Sequence, residues 1–167
     1  FLTQYQDTTL KQFSSVIFTR KDSTIHQLSD LKGRTLAAVN EGAFGGFQLT
    51  QDALNAIEID VLNEMQVKWM GFPHSDVVSA VLQGNADAGT VRSGILEKMA
   101  QKKQLNLNQI RILSKRNNPD FPLLHSVDLY PEWPFSKLPD TDTVIAKKVT
   151  IQLFEMKESD TAAIKAG

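Results

Sequence analysis

Residues 39–54 read VNEGAFGGFQLTQDAL. An apolar approach, TLAAV at 35–39, enters a turn in which Gly45 and Gly46 stand between Phe44 and Phe47, and a helical pattern follows. The first N–H groups of a helix have no intrahelical acceptor and sit at the positive end of its dipole, so an unhindered turn of this kind can hold an anion. The other reading is steric: glycine relieves crowding or takes a positive φ. The residues themselves leave both readings open.

The same handover recurs along the chain, and that recurrence decides the fold class. Short β-type runs occur at 14–20 (SSVIFTR), 35–39, 66–70 (QVKWM), 86–91 (ADAGTV) and 110–114 (IRILS). Between them, 47–57 places Phe47, Leu54 and Ile57 on one helical face, 76–83 places Val77, Val78, Val81 and Leu82, and 93–103 places Ile95, Leu96, Met99 and Ala100. Ser75 suits the N-cap of the second helix and Gly84 its stop. Strand and helix alternating at this spacing predict an α/β fold, a mostly parallel sheet flanked by helices, with ligands taken at the carboxyl ends of the strands. Residues 41–46 fall there.

Beyond residue 116 the character changes. Five of the six prolines lie within 117–139, a stretch too rich in proline for a helix and too apolar for a disordered linker, so it predicts an extended, packed connection. Residues 140–156 alternate like a strand in KVTIQLF, yet Ile145, Val149, Gln152 and Met156 lie on helical spacing and Asp140 and Asp142 suit a helix start; a helix is expected.

Composition bounds the function. The 167 residues are 41% hydrophobic and 22% charged with net charge −1, and no long apolar run or basic stripe stands out, which argues against a membrane span within them and against a nucleic-acid partner. The absence of cysteine removes disulfides, thiolate metal sites and a cysteine nucleophile. The chain opens on Phe1 rather than methionine and reads as a processed or partial sequence, so any signal peptide or membrane anchor could lie outside it.

Two side chains join the glycine turn as candidates. His74 stands at the start of a helix, where its ring could donate to an anion or serve as an ordinary structural hydrogen-bonder. Arg92 follows the ADAGTV strand, where a guanidinium can bind an oxyanion in bidentate fashion or pair with an acid such as Glu97. Asp87 is read as shaping the strand entry, since no second carboxylate matches it for acid/base work, and neighbouring His74 and Ser75 lack an orienting acid. Asp76, His74 and His125 are too sparse for a metal site. No catalytic set, metal or cofactor is expected.

Three ordered stretches carry a resemblance: LSDLKGRTLAAVNEGAFGGFQLTQDAL (28–54), MGFPHSDVVSAVLQGNADAGTVRSGILE (70–97) and FPLLHSVDLYPEWPF (121–135). They resemble the type 2 periplasmic binding proteins of the phosphonate-binding family, most of all the sensor regions of tetrathionate-type sensor histidine kinases. The resemblance implies two α/β lobes, joined by crossover strands, closing on a small ligand. Residues 1–20 would be an N-terminal remnant and first crossover, 21–115 the ligand-binding lobe, and 116–167 the return crossover, Pro-rich segment and C-terminal helix of the other lobe. Most of that other lobe would lie outside this sequence, leaving uncovered apolar surface and favouring a homodimer.

The site implied by the resemblance comprises Ala43, Phe44, Gly45, Gly46, His74, Ser75 and Arg92. Transport members commonly carry hydroxyl residues where this chain has Ala43, Phe44 and Gly45, and amine-bearing phosphonate binders commonly carry an acid where it has Arg92. A small sulfur or phosphorus oxyanion without an amine is therefore the expected ligand. The expected role is an extracytoplasmic sensor domain, membrane-anchored in the full-length protein with its kinase outside this chain; the alternative is the solute-binding component of an ABC transporter for phosphonate or phosphate.

Overall fold

A computed structural model describes residues 3–5, 8–157 and 159–166. In chain order the elements are β1 (Thr3–Tyr5), β2 (Thr8–Leu10), β3 (Gln12–Phe13), β4 (Ser15–Arg20), β5 (Thr35–Ala38), α1 (Leu49–Asn55), α2 (Val61–Glu64), β6 (Gln66–Trp69), α3 (Ser75–Leu82), β7 (Ala88–Arg92), α4 (Ile95–Gln101), β8 (Ile110–Ile112), β9 (Tyr130–Pro131), α5 (Thr143–Glu155) and α6 (Thr161–Ala166). Every β run and every long helix expected from the pattern is present. The chain divides into a larger unit, Phe13–Tyr130, and a smaller one made of the described residues before and after it.

The larger unit is built on a five-stranded sheet in the order β6-β5-β7-β4-β8. β5 pairs in parallel with β6 and β7, while β4 runs antiparallel to β7 and β8. Four strands thus share one direction and β4 alone opposes it. Period-two alternation sends Ile17 into one core with Leu36, Phe47 and Leu54, and Val16 and Phe18 into the other with Val77, Val81 and Leu96. α1 and α2 therefore cover one face and α3 and α4 the other.

Local chemistry sets several boundaries. Asp87 does shape the entry to β7: its carboxylate accepts from Thr35 N at 2.8 Å and its carbonyl from the Thr19 hydroxyl at 2.7 Å. Gly84 stops α3 with φ +75°. Ser75, expected as the N-cap of α3, is instead its first residue, because the turn closes one step earlier when Pro73 O accepts Asp76 N at 3.1 Å and leaves His74 at the cap. Ile57, expected on the buried face of α1, lies past the helix end and is exposed; Leu49 and Thr50 are buried instead. α2 is a single turn held by Asp60, whose carboxylate accepts from Leu62 N and Asn63 N.

In the smaller unit β1 pairs antiparallel with β2, and α5 starts where the sequence placed it, with the Asp142 carboxylate accepting from Val144 N at 2.9 Å and Ile145 N at 3.0 Å. The proline-rich connection is packed through about residue 132 and not beyond: Phe121, Leu123, Val127 and Glu132 are buried, whereas Phe135 and Leu138 are exposed. No helix among the described residues is long and apolar enough to cross a membrane.

Candidate functional site

The turn after β5 is a π-helical turn, Phe44–Gln48, that runs directly into α1. Its opening is set by one carbonyl: Ala43 O accepts from Gly46 N, Phe47 N and Gln48 N at 3.2, 2.7 and 3.1 Å. Gly46 N–H is therefore already engaged, a correction to the expectation that both glycines offer donors. Gly45 N–H has no acceptor among the described residues, although the residue is buried. A buried, unspent backbone donor is costly unless something else takes its hydrogen bond, which makes this position the turn's natural contact for an oxyanion.

Below the turn a buried hydroxyl cluster fixes it to the sheet. Ser15 Oγ on β4 donates to Gly45 O at 2.9 Å and lies 3.1 Å from Thr50 Oγ1 and 3.0 Å from Thr90 Oγ1, which are themselves 2.6 Å apart. All three residues are fully buried. With the Gly45 carbonyl held down toward the sheet, the peptide plane it shares with the Gly46 N–H is fixed, and the turn is anchored at this point.

The two glycines also answer the steric question, each for a different neighbour. A Cβ on Gly45 would lie 2.9 Å from the Phe13 ring and 3.2 Å from Arg92 Cγ, and one on Gly46 would lie 3.0 Å from His74 Cε1. The structure thus brings Gly45, Gly46, His74 and Arg92 together at the carboxyl ends of β5 and β7 and the start of α3, as the sequence suggests. Glycine here is the residue that lets the cationic and imidazole side chains close on the turn.

Phe44 and Phe47 part ways. Phe47 is fully buried and meets Trp69 edge to face at 4.7 Å between centroids, so it packs. Phe44 is half-buried, edge-on to Phe13 at 5.9 Å and to Tyr130 at 5.4 Å. Ala43 and Ser75 are half-buried at the rim; Ser75 offers its carbonyl to Ser79 Oγ at 3.0 Å and makes no side-chain cap bond.

His74 is half-buried and its Nδ1 is buried without a hydrogen-bond partner. Burial, and secondarily the Arg92 charge, push its pKa below the usual histidine value, so the neutral ring is favoured. Arg92 stacks over the Phe13 ring, its Cζ 4.5 Å from the centroid. Glu97, the acid the sequence offers as an ion-pair partner for Arg92, instead gives Oε1 to Leu124 N at 2.6 Å on the return segment, and burial raises its pKa. A positive charge, an imidazole favoured in its neutral form and an unspent N–H gathered around one turn can recognise an anion. Among the described residues no cluster of histidine and acids could hold a metal ion.

A family model described as "ABC transporter, phosphonate, periplasmic substrate-binding protein" matches residues 1–166. The chain belongs to this phosphonate-binding family. It is a periplasmic substrate-binding domain of the α/β type 2 kind, and not an enzyme. Over 140 residues, 84% of this chain, it is 35% identical to the tetrathionate sensor histidine kinase TtrS of Salmonella typhimurium, and it spans 24% of that protein's length. Among solved structures, XAC2383 from Xanthomonas citri bound to chloride ion superposes with a TM-score of 0.63 at 20% identity, covering 92% of this chain and 55% of that one. PhnD1 from Prochlorococcus marinus in complex with methylphosphonate gives a TM-score of 0.55 at 18% identity over 62% of this chain and 40% of its own. The resemblance read from the three sequence stretches is borne out by the family match and the TtrS relationship.

Two contributors were not legible beforehand. Phe13, in KQFSS, looks like any core aromatic. The Ser15, Thr50 and Thr90 hydroxyls lie 35 to 75 residues apart in pairs, so no local spacing could connect them.

Proposed function

We propose that this chain forms one wall of an extracytoplasmic ligand-binding site in a membrane-anchored sensor histidine kinase, and that the ligand is a small sulfur or phosphorus oxyanion. The observation that carries the reading is the convergence of Arg92, His74 and the unspent Gly45 N–H on one turn, admitted by the glycines. The relationship to TtrS supports a sensor, and the methylphosphonate held by PhnD1 supports a small tetrahedral anion. The second lobe of the cleft would come from polypeptide outside this chain, in keeping with the 55% and 40% of the two solved neighbours' own lengths that the chain covers. Ligand binding would then favour the closed arrangement of lobes by the difference in affinity between open and closed states.

A second reading is the solute-binding component of an ABC transporter, favoured by the description of the family model. Both readings use the same cleft, and the full-length gene product separates them: a transmembrane segment with a kinase selects the sensor. The ligand claim is tested by calorimetric titration of the intact protein with tetrathionate, thiosulfate, sulfate, phosphate and methylphosphonate. Saturable binding of at least one is expected, and failure of all five would overturn it.

A further inference from the structure

We propose that Phe13 is a positioning residue of this site: its ring is the platform that holds the Arg92 guanidinium against the Gly45 turn and so sets the affinity of Arg92 for an anion. The inference rests on the reading of Arg92 as an oxyanion ligand and assigns the residue that makes Arg92 effective.

The placement follows from the ladder. β4 and β7 pair antiparallel with Ser15 opposite Arg92. The pairing extends one step further, where Ser93 N donates to Ser14 O at 2.9 Å and Ser14 N donates to Ser93 Oγ at 3.0 Å. Phe13 is the next residue on that strand path, so it is locked beside the end of β7 and its ring lies under the guanidinium, 4.5 Å from Cζ. The ring has little freedom of its own. It is 2% exposed, Phe44 meets it edge-on at 5.9 Å, and Tyr130 in turn meets Phe44 at 5.4 Å.

Gly45 completes the stack. A Cβ there would come within 2.9 and 3.1 Å of two Phe13 ring atoms and 3.2 Å of Arg92 Cγ, so the only side chain that fits beneath both is hydrogen. The same residue that carries the unspent N–H is therefore the one against which ring and arginine stem are pressed. An arginine on a flexible stem loses rotamer freedom when it grips an anion; one already held over an aromatic face has lost part of it beforehand. An aliphatic residue at position 13 would fill the volume but lacks the π face that attracts the cation.

The test is a double-mutant cycle on the intact protein, read by calorimetric titration with tetrathionate and with inorganic phosphate. Phe13→Leu should weaken binding of the anion that the unmodified protein takes up by roughly three- to thirtyfold. Phe13→Tyr, which keeps the ring, should stay close to the unmodified protein. In an Arg92→Ala background Phe13→Leu should change affinity no further. If Arg92→Ala weakens binding while Phe13→Leu does not, the platform is overturned and the oxyanion reading stands. If Phe13→Leu costs the same factor with and without Arg92, the ring acts on the lobe as a whole and the platform is likewise overturned. If the unmodified protein takes up neither of these nor thiosulfate, sulfate or methylphosphonate, both inferences fall together; if it takes up one of those three, the cycle is read with that anion.

Discussion

Val16, Ile17 and Phe18 on β4 are fully buried and alternate between two cores, whereas Val144, Ile145, Ile151 and Phe154 on α5 are exposed, Phe154 to 86%. Both stretches are rich in large apolar side chains. On α5 those side chains spread over much of the helix circumference, a pattern that belongs to a buried helix and not to one lying on a water-facing surface, yet no residue of α5 is buried. The difference teaches that the chain contains one part that satisfies its own hydrophobic demand and another that does not. The second lobe proposed above, from polypeptide outside this chain, would supply the cover of α5.

The comparison breaks or holds on paired truncations. Phe18→Ala should cost about 3–5 kcal/mol in urea denaturation, the range for a fully buried phenylalanine. Phe154→Ala should cost under about 0.5 kcal/mol in the 167-residue chain, the range for surface changes. In the intact protein the Phe154→Ala cost should rise toward the core value. An equally small cost in both contexts would show that α5 faces solvent.

A smaller effect sharpens the same contrast within the larger unit. Thr90→Val keeps shape but removes a hydroxyl that meets Thr50 at 2.6 Å and Ser15 at 3.0 Å, leaving buried partners short of a bond. A loss of about 1–2 kcal/mol is expected by the same denaturation measurement. A neutral result would mean that Ser15 and Thr50 satisfy each other and that Thr90 adds nothing to the cluster.

The smallest effect is a slope. Because the folded state depresses the His74 pKa, it binds fewer protons at this ring than the unfolded chain does as the pH falls through the ordinary histidine value of about 6.5. This group's stabilising contribution is thus fully present above that pH and lost below it, and His74→Gln should flatten stability against pH between roughly 7 and 5. A bound anion offsets the Arg92 charge, the second cause of the depression, and favours the protonated ring, so anion binding should strengthen as the pH drops from 8 to 6, with proton uptake visible in buffers of different ionisation enthalpy. An unchanged slope in His74→Gln would remove His74 from the electrostatic account.

Much of this architecture is readable from residue order. SSVIFTR, TLAAV and ADAGTV announce strands because β-branched and small residues are buried on both faces, and Asp142 announces α5 because a carboxylate one residue before the helix caps two N–H groups. The single-turn α2 is too short to show a period, and the π-helical turn shifts the register of α1 so that Leu49 and Thr50 turn inward where Ile57 was expected. Within the site, His74 and Arg92 are legible from their places at strand and helix ends. What they rest on is not, because Phe13 and the three hydroxyls meet only after the antiparallel β4 crosses the sheet.

The central claim is that Arg92 is an anion ligand, and one titration tests it most directly. Calorimetry of the intact protein with the sulfur or phosphorus oxyanion it binds, repeated on Arg92→Ala, should show affinity falling roughly ten- to a hundredfold, the effect of losing one charge-assisted hydrogen-bonding group. An Arg92→Ala protein that is folded, as judged by an unchanged urea midpoint, and that binds the anion as tightly as before would contradict the account.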